Sequence, residues 1–129
     1  MPAPGAIHRH NVGPNFSEAV VHDGVVYLAG QVALENAGGA IREQVDEVLR
    51  RVDALLTDVS SGRDRLLSAL VLLTNAADLP LFNEAWAEWL PPGEAPARTT
   101  FVTSLVSPDF LIEITVTAAV LPASASKGE

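Results

Sequence analysis

The side chains best suited to polar chemistry in this chain lie near its end. Arg98 and Glu113 stand fifteen positions apart, on either side of a turn around Ser107-Pro108-Asp109. If the two segments fold back symmetrically about Leu105 and Val106, guanidinium and carboxylate return to the same rung of a hairpin. Two readings are open. One is a surface cross-strand ion pair, worth about 0–1 kcal/mol. In the other, the planar guanidinium clamps a ligand carboxylate in bidentate fashion while the glutamate handles a proton. Gly30 is a further candidate, because a missing side chain lets backbone approach a ligand closely, although a plain strand-end turn explains it equally well. His8 and His10, split by Arg9, are two imidazoles without a third ligand nearby, so no metal site is read there. His22 precedes a turn and is expected to face solvent. Trp86 and Trp89, three apart, are expected to anchor a core or an interface rather than stack on a ligand.

The elements that must position these residues follow from patterning. Ala19–His22 and Val25–Ala29 flank the pair Asp23-Gly24, which suits a tight primed turn between β-branched runs. After Gly38-Gly39, apolar residues from Ile41 to Val59 recur at steps of three and four, with charged residues on the other side, predicting an amphipathic helix that stops at Ser60-Ser61-Gly62. Leu66 to Thr74 reads as a strand covered on both faces. Asp78 stands where it would cap a second helix through Leu90, with Pro80 tolerated in the first turn and Pro91-Pro92-Gly93 ending it. Two strands, Arg98–Ser104 and Leu111–Val120, complete the order ββαβαββ, an α+β sheet with both helices on one face. Along the last strand Ile112, Ile114 and Val116 alternate with Glu113, Thr115 and Thr117, whose side is expected to face water or a partner subunit.

Composition narrows the classes of function. A chain of 129 residues fits one domain, and the stretches 1–12 and 122–129 are expected to be loose ends. Cysteine is absent, which excludes disulfides, thiolate metal sites and cysteine nucleophiles. The net charge of −8 disfavours nucleic acid, unless a local groove such as Arg50-Arg51 with Arg63 and Arg65 escapes it. No apolar run approaches the roughly 20 residues of a membrane-spanning helix. The start has neither a basic n-region nor an apolar h-region, so a cytoplasmic location is expected.

Beyond patterning, the phrase Pro96-Ala97-Arg98-Thr99-Thr100 followed by Ile112-Glu113-Ile114 resembles the signature of the Rid (YjgF-type) family, a Pro-Ala-Arg-Ser/Thr with a later Ile-Glu-Ile at the same separation. Gly13-Pro14 is similar to the family's early Gly-Pro, Tyr27 to Val32 to its strand ending in Gly-Gln, and Asn83 to the Asn of its second helix. The resemblance implies a chorismate-mutase-like subunit in a homotrimer with clefts between neighbouring subunits. It implies that Arg98 holds a 2-imino acid by its carboxylate and that Glu113 positions the water that attacks the imine carbon, releasing a 2-oxo acid and ammonia. Gly30 and Asn83 would line that cleft, and no metal or organic cofactor is implied.

This sequence departs from the family pattern at ligand-facing positions. Asn15 stands where typical family deaminases have a tyrosine after Gly-Pro, and Ala29 where they have a serine before Gly-Gln. Phe16 could supply a replacement ring, but a one-residue shift on a strand reverses the face unless the backbone bulges. Thr100 replaces a frequent cysteine and would contribute shape or a backbone carbonyl. Three functions therefore stay open: an imine or enamine deaminase, a non-catalytic trimeric ligand-binding or protein-protecting module, and a relative acting on a bulkier enamine or aminomuconate-like acid.

Overall fold

Backbone pairing organises the chain into a single sheet, which the computed structural model describes for residues 3–122. The elements run β1 (Ile7–Val12), β2 (Ser17–His22), β3 (Val25–Leu28), β4 (Gln31–Val32), α1 (Ile41–Asp58), β5 (Leu66–Leu73), α2 (Leu79–Trp89), β6 (Ala97–Val102) and β7 (Ile112–Ala119). The strand order is β1-β2-β3-β7-β5-β6, and β4 pairs with β7 beyond β3. Asp23 (φ 47°) and Gly24 (φ 82°) both take positive φ at the β2–β3 turn, as a type I′ turn requires.

The helices cover one face. Ile112, Ile114, Val116 and Ala118 of β7 and Ala69, Val71 and Leu73 of β5 are buried beneath α1 and α2, with Val45, Val48, Val52, Leu56 and Phe82 packed over them. Alternation sends Glu113, Thr115 and Thr117 to the opposite, open face. Leu67 and Leu70 of β5 also point there and stay exposed, so β5 is covered on one face in this chain, not on both as its composition suggested. No helix among the described residues is long and apolar enough to cross a membrane.

Two expectations about the chain's course are corrected. Within the expected loose end 1–12, Ile7–Val12 instead forms a strand in register with β2, pairing Ile7 with His22 and His10 with Ala19. The Gly5 N–H also donates to Asp23 Oδ1 at 2.9 Å. This edge strand is held by its backbone ladder rather than by burial, so it lacks the apolar alternation that marks strands in a sequence. Positions 123–129 of the other expected end lie outside the described residues. The second correction concerns the last two strands. They are not a hairpin: β6 pairs in parallel with β5, and β7 runs antiparallel to β5 on its other side. Segment α2 is the crossover that a parallel β5–β6 pair needs.

Two fully buried polar residues of α1 tie the connecting loops to the sheet. Gln44 donates through Nε2 to the carbonyls of Gly39 (3.2 Å) and Asp109 (2.9 Å), and its Oε1 accepts from the Leu111 N–H at 2.8 Å. Glu47 accepts from the N–H groups of Glu35 (3.1 Å) and Asn36 (2.8 Å), from Asn36 Nδ2 (2.9 Å) and from Arg51 Nε (2.5 Å). Burial pushes the Glu47 carboxyl up, but the Glu35 N–H, Arg51 and the two Asn36 donors outweigh it and lower its pKa from 4.5 to about 2.

Because that folded pKa lies below the unfolded one, the stabilisation is fully present above pH 4.5 and is lost as the pH falls toward 2. Glu47→Gln is expected to lower stability at pH 7 by about 1–3 kcal/mol, since buried donors lose their charged acceptor. It should also flatten the fall in stability between those pH values. Urea denaturation of both proteins across the acid range measures this; equal pH slopes would show that Glu47 does not carry the linkage.

Candidate active site

Arg98 owes its position to its strand partner. It pairs with Ala69 of β5 and therefore shares Ala69's face, toward α2. There its guanidinium carbon lies 5.3 Å from the centroid of the Phe82 ring and 5.9 Å from that of Trp86. The two rings stand one helical turn apart on α2, with centroids 5.6 Å from each other. Stacking over aromatic faces orients a guanidinium without occupying its N–H donors. No described carboxylate lies within ion-pair distance of Arg98, although Arg42, Arg50, Arg51 and Arg63 each have one. Among the described residues, the half-buried Arg98 thus presents a fixed fork with no internal anion.

Glu113 occupies a different surface. It pairs with Leu72 on one side and Val32 on the other, on the open face. The expected shared rung with Arg98 is not formed, because β5 lies between the strands and the rungs are Arg98–Ala69–Val116 and Phe101–Leu72–Glu113. With strands about 4.8 Å apart and a rise of about 3.3 Å per residue, the two positions are separated by roughly 10 Å across the sheet and a similar distance along it. Their side chains also leave opposite faces. The cross-strand ion pair is therefore ruled out within one chain, and so is a small ligand held by both groups of that chain.

What does gather around Glu113 is Gly30. Tyr27 pairs with Thr117 and Gln31 with Ile114, so four steps along the β3–β4 side match three along β7. The extra residue is a β-bulge at Ala29-Gly30, a device that commonly re-aims groups beside functional sites. A Cβ on Gly30 would overlap the Glu113 carboxylate, coming 2.9 Å from its Cδ and 3.1 Å from Thr115 Oγ1. Glycine is needed here because the carboxylate lies over it, a reason beyond the strand-end turn.

The other expected ligand-facing residues are distributed as follows. Asn15 and Phe16 lie in the β1–β2 turn, closed by a Gly13 N–H to Phe16 carbonyl bond of 2.9 Å, and Phe16 is 66% exposed. That turn is at the sheet end of Ala29, whose N–H donates to the Glu18 carbonyl at 2.9 Å. Thr100 pairs with Val71 and so shares Arg98's face; its hydroxyl is buried and makes no hydrogen bond among the described residues. Asn83 is exposed on α2, next to Phe82. Two clusters result: Arg98 with Thr100 and α2, and Glu113 with Ala29 and Gly30.

The remaining candidates take structural places. His10 Nε2 lies 3.4 Å from Asp58 Oδ2 and His22 Nε2 lies 3.3 Å from Asp23 Oδ2. The His22 side chain is 43% exposed and faces solvent as expected. Among the described residues no group of three His, Cys, Asp or Glu could hold a metal ion. Arg50, Arg51 and Arg63 pair with Glu35, Glu47 and Asp53, and Arg65 donates to the Val120 carbonyl at 3.0 Å. Trp86 is buried as expected, but its second role, with Phe82, is to seat Arg98, and neither ring was tied to the arginine from sequence. The signal was present in the i, i+4 spacing of Phe82 and Trp86 opposite an edge-strand arginine.

Over the described residues, fold and site together define an α+β protein with one sheet, two α-helices and a guanidinium fork that pairs with no described carboxylate. The chain belongs to the Rid/YjgF family: the family model described as "Endoribonuclease L-PSP" matches residues 7–120. A RutC family protein of Haemophilus ducreyi is 37% identical over 114 residues, covering 88% of this chain and 97% of that protein. The RutC family protein YoaB of Escherichia coli is 32% identical over 114 residues, with 88% and 98% covered. Among solved structures, an uncharacterised protein from Pseudomonas aeruginosa matches with a TM-score of 0.85 at 35% identity, covering 89% of this chain and 99% of that one. A YjgF family member from Neisseria meningitidis matches with a TM-score of 0.84 at 30% identity, with 92% and 98% covered.

The contact at Gly30 gives a direct expectation. In Gly30→Ala the new methyl meets the far end of a flexible side chain, which can swing away, so the stability loss should stay near 1 kcal/mol or below. The Glu113 carboxylate must move. A crystal structure of the variant is expected to show it in a different rotamer; an unmoved carboxylate with a shifted Ala29-Gly30 backbone would show that the bulge, not the side chain, is the soft partner.

Proposed function

We propose that this protein is a hydrolytic deaminase of 2-imino and enamine acids, producing 2-oxo acids and ammonia. The observation that carries the reading is the unpaired Arg98 fork, seated on Phe82 and Trp86 at an edge strand, where a ligand carboxylate can accept two parallel hydrogen bonds. Family membership supports the same class of chemistry. Glu113 is the group for the second requirement, an acceptor that orients water toward the imine carbon. The water oxygen bonds to that carbon as the C=N π pair moves to nitrogen, and the proton taken by Glu113 passes to the nitrogen to give a carbinolamine; the remaining hydroxyl proton then reaches the nitrogen as the C=O forms and the C–N bond breaks, releasing the 2-oxo acid and ammonia.

Since the two groups leave opposite faces of the sheet, the cleft pairs Arg98 of one protomer with Glu113 of another. The chorismate-mutase-like homotrimer implied by the family resemblance supplies such a cleft. The open face suits this role: Tyr27, Leu67, Leu70 and Phe101 are all exposed there in the single chain, a patch that association would cover. Light scattering is then expected to give three chains per particle.

The apolar surroundings of Glu113 favour one refinement. Val32 and Leu72 flank it, and Ala29 lies in the adjacent bulge in place of a serine. Imino acids with larger apolar side chains should therefore be better substrates than 2-iminopropanoate. Cleavage of RNA, raised by the family model's description, is disfavoured by the net charge of −8 and by the acidic partners of Arg50, Arg51 and Arg63.

Imines generated in situ by an amino-acid oxidase, with the unreacted fraction trapped by semicarbazide, provide the assay. Arg98→Ala and Arg98→Lys are both expected to cut kcat/KM strongly, lysine less so, because a point charge replaces a bidentate fork. Glu113→Gln should retain binding of an unreactive 2-oxo acid while kcat falls by about 10²–10⁴, the range of lost general-base help. Tight 2-oxo acid binding without turnover of any imine would identify a binding module instead.

A further inference from the structure

We infer that Gln44 is a positioning residue for Glu113, acting through the start of β7. The inference rests on the reading that Glu113 orients the attacking water. Gln44 is fully buried, yet its amide makes its side-chain bonds with connecting segments: Gly39, Asp109 and Leu111. Leu111 immediately precedes β7, and Glu113 is only the second residue of that strand. Strand ends fray unless something fixes their peptides. Here the Leu111 N–H is fixed by Gln44 Oε1 at 2.8 Å and its carbonyl by the Thr74 N–H at 3.2 Å. The Asp109 carbonyl accepts from Gln44 Nε2 and from the Gly38 N–H, both at 2.9 Å.

Glu47 does the equivalent for the opposite neighbour of Glu113. One turn after Gln44 on α1, it fixes the N–H groups of Glu35 and Asn36, three and four residues beyond Val32, which pairs with Glu113. One face of a rigid helix thus holds both connections that lead to the rung of the carboxylate. A leucine would fill the volume at position 44 without burying an amide, so the side chain's distinctive contribution is the placement of these peptides.

The test compares Gln44→Leu and Gln44→Glu, each in the otherwise native protein and combined with Glu113→Gln, by kcat, KM and 2-oxo acid Kd. Positioning predicts that Gln44→Leu lowers kcat about tenfold or more while KM and Kd change less than about twofold. On the Glu113→Gln background it should then cost less than about a further twofold, because the group it positions is already disabled. An equal proportional loss on both backgrounds would overturn the inference. Gln44→Glu guards against a leucine variant that folds poorly. Ionised, its carboxylate faces two carbonyls; protonated, it donates to Asp109 again, so its kcat relative to the native protein should recover as the pH falls. A flat ratio counts against positioning. Full turnover by Glu113→Gln alone would instead sink the deaminase role given to Glu113. In that event amide exchange decides: Gln44→Leu must still accelerate exchange at residues 111–113 about tenfold with β5 unchanged, and no local acceleration would overturn the placement itself.

Discussion

The position of β7 between β3 and β5 is the constraint on which the rest of the structure depends. It makes β7 a central strand, so its inner residues Ile112, Ile114, Val116 and Ala118 form the floor under both helices. The same alternation sends Glu113 outward. It also pushes β6 to the edge, where pairing with Ala69 turns Arg98 inward to the rings of α2. A one-residue slip of either strand would reverse these assignments and expose the core, so the burial that stabilises the fold also fixes which face each polar group serves.

On the proposed function, this arrangement separates the two kinds of chemistry an imine hydrolysis requires. The cation lies in a half-buried aromatic seat where its donors are oriented but unspent. The carboxylate sits over a glycine bulge, between Val32 and Leu72, on a face that a single chain leaves open. Keeping them apart in one chain avoids an internal ion pair, which would compete with the proposed ligand for the same guanidinium fork. In the proposed trimer, assembly would serve two ends, covering Tyr27, Leu70 and Phe101 and bringing the second group to the ligand.

Much of this was legible in the sequence, for physical reasons that also explain what was not. The heptad-like stripe of α1, the Asp-Gly turn and the alternation from Ile112 to Thr117 were read correctly because each is a local pattern written by burial or by φ. The strand Ile7–Val12 was missed because an edge strand with little burial carries no such pattern. The supposed Arg98–Glu113 hairpin failed for a related reason: adjacency in sequence gives no sign that a third strand intervenes, and only the crossover through α2 decides it. Leu70 and Leu67 looked like core because their apolar type matches that of buried strand residues, yet both stay exposed in the single chain. Gly30 and Glu113 were each singled out, but their contact depends on a one-residue register difference between β3 and β4 that no local pattern marks. Gln44 and Glu47 looked like ordinary polar positions of a helix, and their burial depends on loops distant in sequence.

The central claim is that a working cleft takes its arginine from one protomer and its glutamate from another. Subunits carrying Arg98→Ala and subunits carrying Glu113→Gln, each inactive alone, can be co-assembled in equal amounts and assayed for imine hydrolysis. Random mixing is expected to restore roughly a quarter of native turnover, the share of inter-subunit clefts that join an intact arginine to an intact glutamate. Mixed assemblies that form, as shown by mass, but turn over no faster than the two variants measured separately would contradict it.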